Sequence, residues 1–243
     1  MFLAQIIIPE IALLLQYELE RNSAAMKKIK KPWPTKEAMI QIYEKNLWGR
    51  GDSKFFSGEG SHHPDLIEPY IEVVIDFLKS FDDFITVCDL GCGDFNVGSK
   101  LVDYTSNFIG IDIVPEIINY NKSYFKNRNL EFQCLDIAKD DLPKADCAMI
   151  RQVLQHLSNK EIISIVNKLY SFKYVIITEH IPDFDFIPNV DIISGQGIRL
   201  KKDSGVDLLA SPFNLKPKKE KLLLSLTLDN SKGRIETKLY EFE

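Results

Sequence analysis

The chain has 243 residues with a formal net charge of −5, and its hydrophobic fraction of 45% is that of a globular protein. A core of this size is stable without disulfides or metals, and no global field draws the chain to nucleic acid or to anionic membranes. The four cysteines form no C-x-x-C pair, which indicates a reducing environment and predicts a cytoplasmic location.

The N-terminal stretch is apolar but fits neither a signal peptide nor a membrane span. No basic residue precedes Arg21, and the apolar run is interrupted by Gln5, Pro9, Glu10 and Gln16. An amphipathic helix is predicted here, with a homodimer contact as one role for it. The run "MKKIKK" from Met26 resembles a natural bacterial start, so whether residues 1–25 belong to the native product stays open.

Two parts are expected along the chain. Residues 1–62 form an N-terminal helical extension with a lid-like loop, since 48–63 is rich in Gly, Ser and aromatic residues. Residues 63–243 form the main domain, which begins with a helix over 63–81. The side chains of that helix that should face the sheet recur at helical spacing: Leu66, Tyr70, Val73, Phe77 and Phe81.

The middle of the chain alternates apolar runs with helical patterns. The predicted strands are 85–91, 107–113, 130–136, 145–151 and 174–180. The predicted helices are 97–104, 115–127 and 158–172. The last helix opens with Ser158 and has Glu161 three residues later, which is a capping-box pattern. This alternation predicts an α/β fold with a mostly parallel sheet and helices on both faces.

The end of the chain changes character. Two alternating runs, 221–229 and 234–243, flank the turn sequence "NSKG" at 230–233. They predict a C-terminal antiparallel β-hairpin at the edge of the sheet. The basic run "KPKKEK" at 216–221 is typical of a solvated loop, with a local nucleic-acid contact as the alternative.

The turn after the first strand, "CDLGCGDFNVG", carries the clearest functional signal. Ligands bind beyond the carboxyl ends of strands in open α/β sheets, and Gly91 and Gly93 allow a tight turn and close backbone approach there. A dinucleotide fingerprint needs a third glycine where Asn96 stands, which weakens a nicotinamide hypothesis. Asp89 and Asp94 suit a ligand with amine and hydroxyl donors better than a phosphate.

Four motifs in order resemble class I S-adenosylmethionine (SAM) methyltransferases of the small-molecule type: "CDLGCGD", "GIDI", "CLDI" and "DLPKADCAMIRQVLQHL". The resemblance covers roughly 60–240 and is strongest from 85 to 157. Phe95 replaces the usual third glycine of the first motif, a position that varies in the family. The resemblance implies a seven-stranded Rossmann-like sheet and methyl transfer from SAM to an O or N atom, with S-adenosylhomocysteine (SAH) as product.

The resemblance also implies roles for particular residues. The implied cofactor-binding residues are Asp89, Gly91, Cys92, Gly93, Asp112, Ile113, Asp136, Ile137, Arg151 and Gln152. Asp112 would accept the ribose hydroxyls, Asp136 the adenine amino group, and Asp89 would help to hold the methionine end. Three structural alternatives stay open: Asp112 as a helix N-cap, Asp89 as a brace for the turn, and Gln152 as a packing residue.

A hydroxyl or amine acceptor can require a general base, and histidine suits that task at neutral pH. The candidate catalytic residues are His156, His180 and Glu179, which follow predicted strands four and five. His62 and His63 belong to the loop that could close over SAM. A metal site is not predicted, although suitable ligand types occur at Glu179, His180, Asp183 and Asp185.

The segment 191–215 has poor helical periodicity and is expected to line the acceptor pocket. Arg199, Lys201 and Lys202 could recognise an acidic acceptor or be surface charges. The predicted partner is a small molecule, such as a sugar or secondary metabolite, and not nucleic acid or a membrane. Alternatives are a tRNA or protein methyltransferase, a non-catalytic SAM-binding module, and a nicotinamide-dependent dehydrogenase.

Overall fold

The computed structural model describes residues 33–51, 53–228 and 233–242. Pro34–Glu243 forms one compact unit. The predicted N-terminal helix, its dimer contact and the second start at Met26 lie outside the described residues. In the part of the chain that is described, no helix is both long enough and apolar enough to cross a bilayer.

Seven strands form one sheet in the order β3-β2-β1-β4-β5-β7-β6. The first five are parallel, and β7 runs antiparallel to both β5 and β6. Their bounds are β1 Thr86–Leu90, β2 Asn107–Asp112, β3 Leu130–Cys134, β4 Cys147–Arg151, β5 Tyr174–Ile181, β6 Lys219–Thr227 and β7 Arg234–Glu241. This topology confirms the predicted fold class, including the C-terminal hairpin, whose tip (229–232) is not among the described residues.

Four α-helices are described: α1 Thr35–Glu44, α2 Pro64–Lys79, α3 Pro115–Tyr124 and α4 Asn159–Leu169. The predicted capping box of α4 is present: the Ser158 side chain accepts the backbone N–H of Glu161, and the Glu161 side chain accepts the backbone N–H of Ser158. The helix predicted over 97–104 is wrong. Gly98–Lys100 and Val102–Tyr104 are two separate 3₁₀ turns, because a segment this short gains too few intrahelical bonds to offset nucleation.

Apolar side chains cover both faces of the sheet, as expected for parallel strands. On one face, α2 buries Tyr70, Val74 and Leu78 fully. The predicted face of this helix is therefore wrong by one residue. Val73 and Phe77 are only partly buried, and the helix ends at Lys79, because the deepest contact follows the i, i+4 row that starts at Tyr70.

Strand β6 forms an edge of the sheet and begins within the basic run. Lys219 and Lys221 are therefore exposed strand residues and not loop residues as predicted. Lysines on an edge strand discourage pairing with other chains, so the run has a structural explanation.

Candidate functional site

The glycine turn lies at the carboxyl end of β1 and is pinned to the end of β2. Gly91 and Gly93 have φ values of +96° and +53°, a region that glycine enters without strain. The N–H groups of Gly91 and Cys92 both donate to the Ile111 carbonyl at 2.8 Å. The carboxyl ends of the two strands are thereby held side by side with backbone exposed between them.

Asp112, the last residue of β2, braces this turn from the other side. Its carboxylate accepts hydrogen bonds from the N–H of Gly93 at 3.0 Å and of Val114 at 2.9 Å. Burial raises the pKa of Asp112 to about 6, although these backbone donors oppose the shift. Val114, not Asp112, is the N-cap of α3.

A cavity of about 460 Å³ lies beyond the carboxyl ends of the parallel strands. It is lined by nine of the ten predicted cofactor residues and by two of the three predicted catalytic ones. These are Gly91, Cys92, Gly93, Asp112, Ile113, Asp136, Ile137, Arg151 and Gln152, together with His156 and His180. Residues that are distant in sequence thus meet around one space.

Asp89 lies beside this cavity and lines a smaller adjoining space of about 30 Å³ with Tyr70 and Arg151. Burial raises the pKa of Asp89 to about 7, while the Arg151 guanidinium lowers it. The guanidinium carbon lies 4.9 Å from the centre of the Tyr70 ring, and its Nη2 donates to the Gly60 carbonyl at 2.6 Å. Arg151 therefore connects the buried acid to the loop above.

Asp136 and Ile137 follow β3 and form one end of the cavity. The Asp136 carboxylate accepts a hydrogen bond from the Ala138 N–H at 3.0 Å and pairs with Lys139 at 2.6 Å. Ile137 is buried beside it. This end of the cavity combines an apolar wall with a carboxylate, which suits a flat heterocycle that bears an amino group.

The loop over residues 57–62 covers the cavity and is bonded to the glycine turn. Asp94 accepts the Ser57 N–H at 2.8 Å and lies 2.7 Å from His62 Nε2. Asn96 Nδ2 donates to the Ser61 carbonyl at 2.7 Å. Asp94 and Asn96 therefore connect the turn to a lid, a role that their positions in the motif did not reveal.

Sequence reasoning missed the aromatic wall on the N-terminal side. Tyr43 and Trp48 line the cavity, with ring centres 5.2 Å apart in an edge-on contact. The Trp48 ring also lies 5.1 Å from the His156 ring. Helical spacing of Met39, Ile42 and Tyr43 could have placed α1 against the domain, but no local signal points to the strand ends.

The expected role of the 191–215 segment in lining a pocket applies to three of its residues. Gln196, Ile198 and Lys201 line the cavity opposite the glycine turn. Arg199 does not: it is 1% exposed and donates to the carbonyls of Leu154 and Leu157, so its proposed recognition of an acidic acceptor is wrong.

The three candidate catalytic residues have different environments. His156 Nδ1 lies 3.3 Å from the Gly197 carbonyl, and burial lowers the pKa of this imidazole to about 4. His180 lines the cavity from the end of β5. The Glu179 carboxylate instead accepts the N–H groups of Leu154 and Gln155, both at 2.9 Å. Among the described residues, no cluster of three or more acids, histidines or cysteines could hold a metal ion.

Comparisons with known proteins relate part of the chain to a known domain family. Residues 87–172 match the family profile of a methyltransferase domain. A sequence relative from Chlamydia pneumoniae, described as an uncharacterised RNA methyltransferase, is 26% identical over 157 residues. That match covers 58% of this chain but only 38% of the relative, so the chain spans well under half of the relative's length.

The fold is similar to those of solved methyltransferases. The N-methyltransferase NodS of Bradyrhizobium japonicum, solved with SAH, has a TM-score of 0.61 at 11% identity, over 85% of this chain and 100% of NodS. A 1,6-didemethyltoxoflavin N1-methyltransferase of Burkholderia thailandensis has a TM-score of 0.56 at 10% identity, over 86% of this chain and 87% of that one. Residues 87–172 therefore match a methyltransferase domain, and most of the chain has the fold of these solved methyltransferases.

Proposed function

We propose that the protein transfers a methyl group from SAM to a small-molecule acceptor, with SAH as product. The main support for this proposal is the cavity at the strand ends. Acids at the ends of β2 and β3, the glycine turn after β1 and a covering loop surround this one space. One of the solved structures that resemble this protein in fold is an enzyme named for a small-molecule substrate, 1,6-didemethyltoxoflavin.

In this proposal the cofactor extends along the strand ends. Adenine lies against Ile137 with its amino group at Asp136, and the ribose hydroxyls donate to Asp112. The methionine end lies over the backbone of Gly91, Cys92 and Gly93, between Arg151 and the adjoining buried Asp89. Opposite charges on Arg151 and Asp89 match the carboxylate and ammonium groups of an amino acid, which supports this orientation.

The reaction is an in-line displacement at the sulfonium methyl, so the protein contributes alignment and exclusion of water. Holding both reactants in reach removes roughly 7–11 kcal/mol of barrier. The covering loop supplies the exclusion of water through its bonds to Asp94, Asn96 and Arg151. His156 and His180 line the cavity and are the candidates for a base, whereas Glu179 supports the backbone.

The acceptor lies in the remaining part of the cavity, between Trp48 and the 196–201 segment. Trp48, Tyr43 and His156 provide flat, largely uncharged surfaces, which suit a ring-shaped acceptor. Trp48 and the 196–201 segment both line this part of the cavity, which suits a small molecule.

Calorimetry with SAH and a methyl-release assay over a metabolite panel test the proposal. We expect SAH to bind and at least one small acceptor to release SAH from SAM. The Trp48→Ala variant should raise the KM for the acceptor and leave the Kd of SAH unchanged. The matched control is Phe84→Ala, because Phe84 is exposed. The proposal is contradicted if the protein does not bind SAH, or if Trp48→Ala leaves the KM for the acceptor unchanged.

A second candidate function is methylation of RNA, favoured by the description of the Chlamydia relative. In that case the exposed basic residues of the C-terminal segment would contact phosphates, and binding would weaken steeply with salt. If the protein methylates bulk tRNA, and the Lys216→Ala and Lys218→Ala variants do so less, RNA is the substrate and the small-molecule proposal is wrong.

A further inference from the structure

The backbone turn between β4 and α4 is held by two buried side chains, the carboxyl group of Glu179 and the guanidinium of Arg199. From β5, the two Glu179 oxygens accept the N–H groups of Leu154 and Gln155, each at 2.9 Å. Both of these N–H groups lie in a 3₁₀ turn too short to bond them internally. Glu179 therefore replaces the missing backbone partners on the donor side of the turn.

Arg199 satisfies the acceptor side of the same turn. Its Nη1 donates to the Leu154 carbonyl at 2.9 Å, and its Nη2 donates to the Leu157 carbonyl and to Asn159 Oδ1, both at 2.7 Å. The planar guanidinium provides this fork of donors, which a lysine cannot reproduce. Glu179 is 3% exposed and Arg199 is 1% exposed, so water does not replace these hydrogen bonds.

Burying a carboxyl group and a guanidinium is a weak source of stability, because the cost of desolvating them offsets much of what their contacts contribute. Apolar residues could fill the same volume, but they could not accept two N–H groups and donate to two carbonyls. The physical consequence of the pair is therefore a fixed orientation of the turn. That turn carries Gln155 and His156, and both side chains line the cavity.

The pair also connects three separate parts of the acceptor wall. Glu179 belongs to β5 and Arg199 to the 191–215 segment, while His156 contacts Trp48 from the N-terminal region at 5.1 Å. His156 Nδ1 faces the Gly197 carbonyl at 3.3 Å, two residues before Arg199. A carbonyl only accepts, so this contact places the imidazole proton on Nδ1 and leaves Nε2 unprotonated.

We propose that Glu179 and Arg199 are positioning residues for the methyl acceptor. They hold the turn at residues 154–157 so that His156 and Gln155 meet the acceptor against Trp48, and neither one touches the acceptor or transfers its proton. This inference rests on the proposed methyltransferase function. The orientation of the turn can nevertheless be tested without an identified acceptor.

The test uses the full chain with Trp33→Phe, which leaves Trp48 as the single tryptophan of the two in the sequence. Glu179→Gln and Arg199→Lys are introduced separately. Trp48 emission and the ¹⁵N shifts of the His156 ring report on the wall, calorimetry gives the Kd of SAH, and thermal unfolding gives Tm. The matched control is Thr178→Val, which breaks a buried hydrogen bond of 2.9 Å to Thr237 from the adjacent β5 position.

We expect both variants to shift Trp48 emission and to move His156 from a single Nδ1–H tautomer towards a mixture, with the Kd of SAH within about twofold of the parent. Thr178→Val should lower Tm and leave both spectra unchanged. If a single variant does not fold, the Glu179→Gln/Arg199→Met double variant removes the carboxyl group and the guanidinium together and should show the same spectral change.

Unchanged spectra in the variants, or equal changes in Thr178→Val, overturn the inference and assign the pair a purely structural role. A loss of SAH affinity in step with the spectral change also overturns it, because the turn would then position the cofactor. Failure of the parent to bind SAH contradicts the proposed function instead, while the spectra still decide whether the pair orients the turn.

Discussion

His62 Nε2 lies 2.7 Å from Asp94 Oδ2, which joins the covering loop to the glycine turn across 32 residues of sequence. The same oxygen accepts the Ser57 N–H at 2.8 Å, and Ser57 Oγ accepts the Asp94 N–H at 2.9 Å. The glycine turn therefore lines the cavity and also holds the covering loop in place. Cofactor affinity should depend on these contacts, since the loop encloses the proposed binding space.

His62→Ala is expected to weaken SAH binding by about fivefold, the effect of losing one net hydrogen bond that orders the loop. Calorimetry at neutral pH measures the Kd. His63→Ala is the matched control, because the neighbouring imidazole is half-exposed and its nearest acid, Asp65, is 3.9 Å away. Equal Kd values for the two variants would show that the contact between His62 and Asp94 does not support cofactor binding.

Asp112→Asn is expected to weaken SAH binding by roughly tenfold or more, because an amide cannot accept from Gly93, Val114 and two ribose hydroxyls together. Burial raises the pKa of Asp112 to about 6, so the affinity of the parent should also fall as the pH drops below this value. The exposed Asp103→Asn is the control. A Kd independent of pH between 5 and 8 would contradict the role of the Asp112 carboxylate.

Glu179 should make the protein less stable as pH rises. Burial raises its pKa from 4.5 to about 8, against the opposing effects of the two N–H donors and Arg199. Between these values the unfolded side chain has lost a proton that the folded one retains, so this group's contribution to the free energy of unfolding decreases with pH.

Urea unfolding at pH 5.5 and 8.5 measures this effect. The parent should lose more stability between the two pH values than Glu179→Gln, which has no proton to lose. Asp89 contributes equally to both proteins and does not affect the comparison. A loss of the same size in parent and variant would indicate that Glu179 is already ionised at the lower pH.

Gly91→Ala is expected to destabilise the protein by about 1–3 kcal/mol, because its φ of +96° is strained for any other residue and an added Cβ would collide with Val153. Gly197→Ala is the matched control, since an added Cβ there meets nothing within 4 Å. Urea unfolding of both variants measures the difference. Equal stabilities would mean that the turn relaxes at little cost.

The strands and the glycine turn could be predicted because their signals are local. Five apolar runs predicted strands, and each one is a strand of the parallel part of the sheet. The buried face of α2 could not be predicted to better than one residue, because Val73 and Val74 are chemically equal and only the neighbouring strands choose between them. The prediction of a helix at 97–104 failed for a similar reason, because the local sequence pattern does not show how few intrahelical hydrogen bonds so short a segment can form.

The candidate site shows the same division between local and distant information. The position of Asp112 at the end of a strand and that of Asp136 just after one were predictable from the sequence. The roles of Asp94, Glu179 and Arg199 were not, because each acts through partners that lie 24 or more residues away in sequence.

The amino-acid order by itself determined the sheet, the turn and the acids at the strand ends, because periodicity and turn chemistry act between near neighbours. Only the tertiary structure decided that Trp48 faces His156, that loop 57–62 covers the turn, and that Arg199 is buried beneath the 154–157 turn. Such contacts depend on how distant segments pack and on which buried polar groups find partners, and both are properties of the whole folded chain.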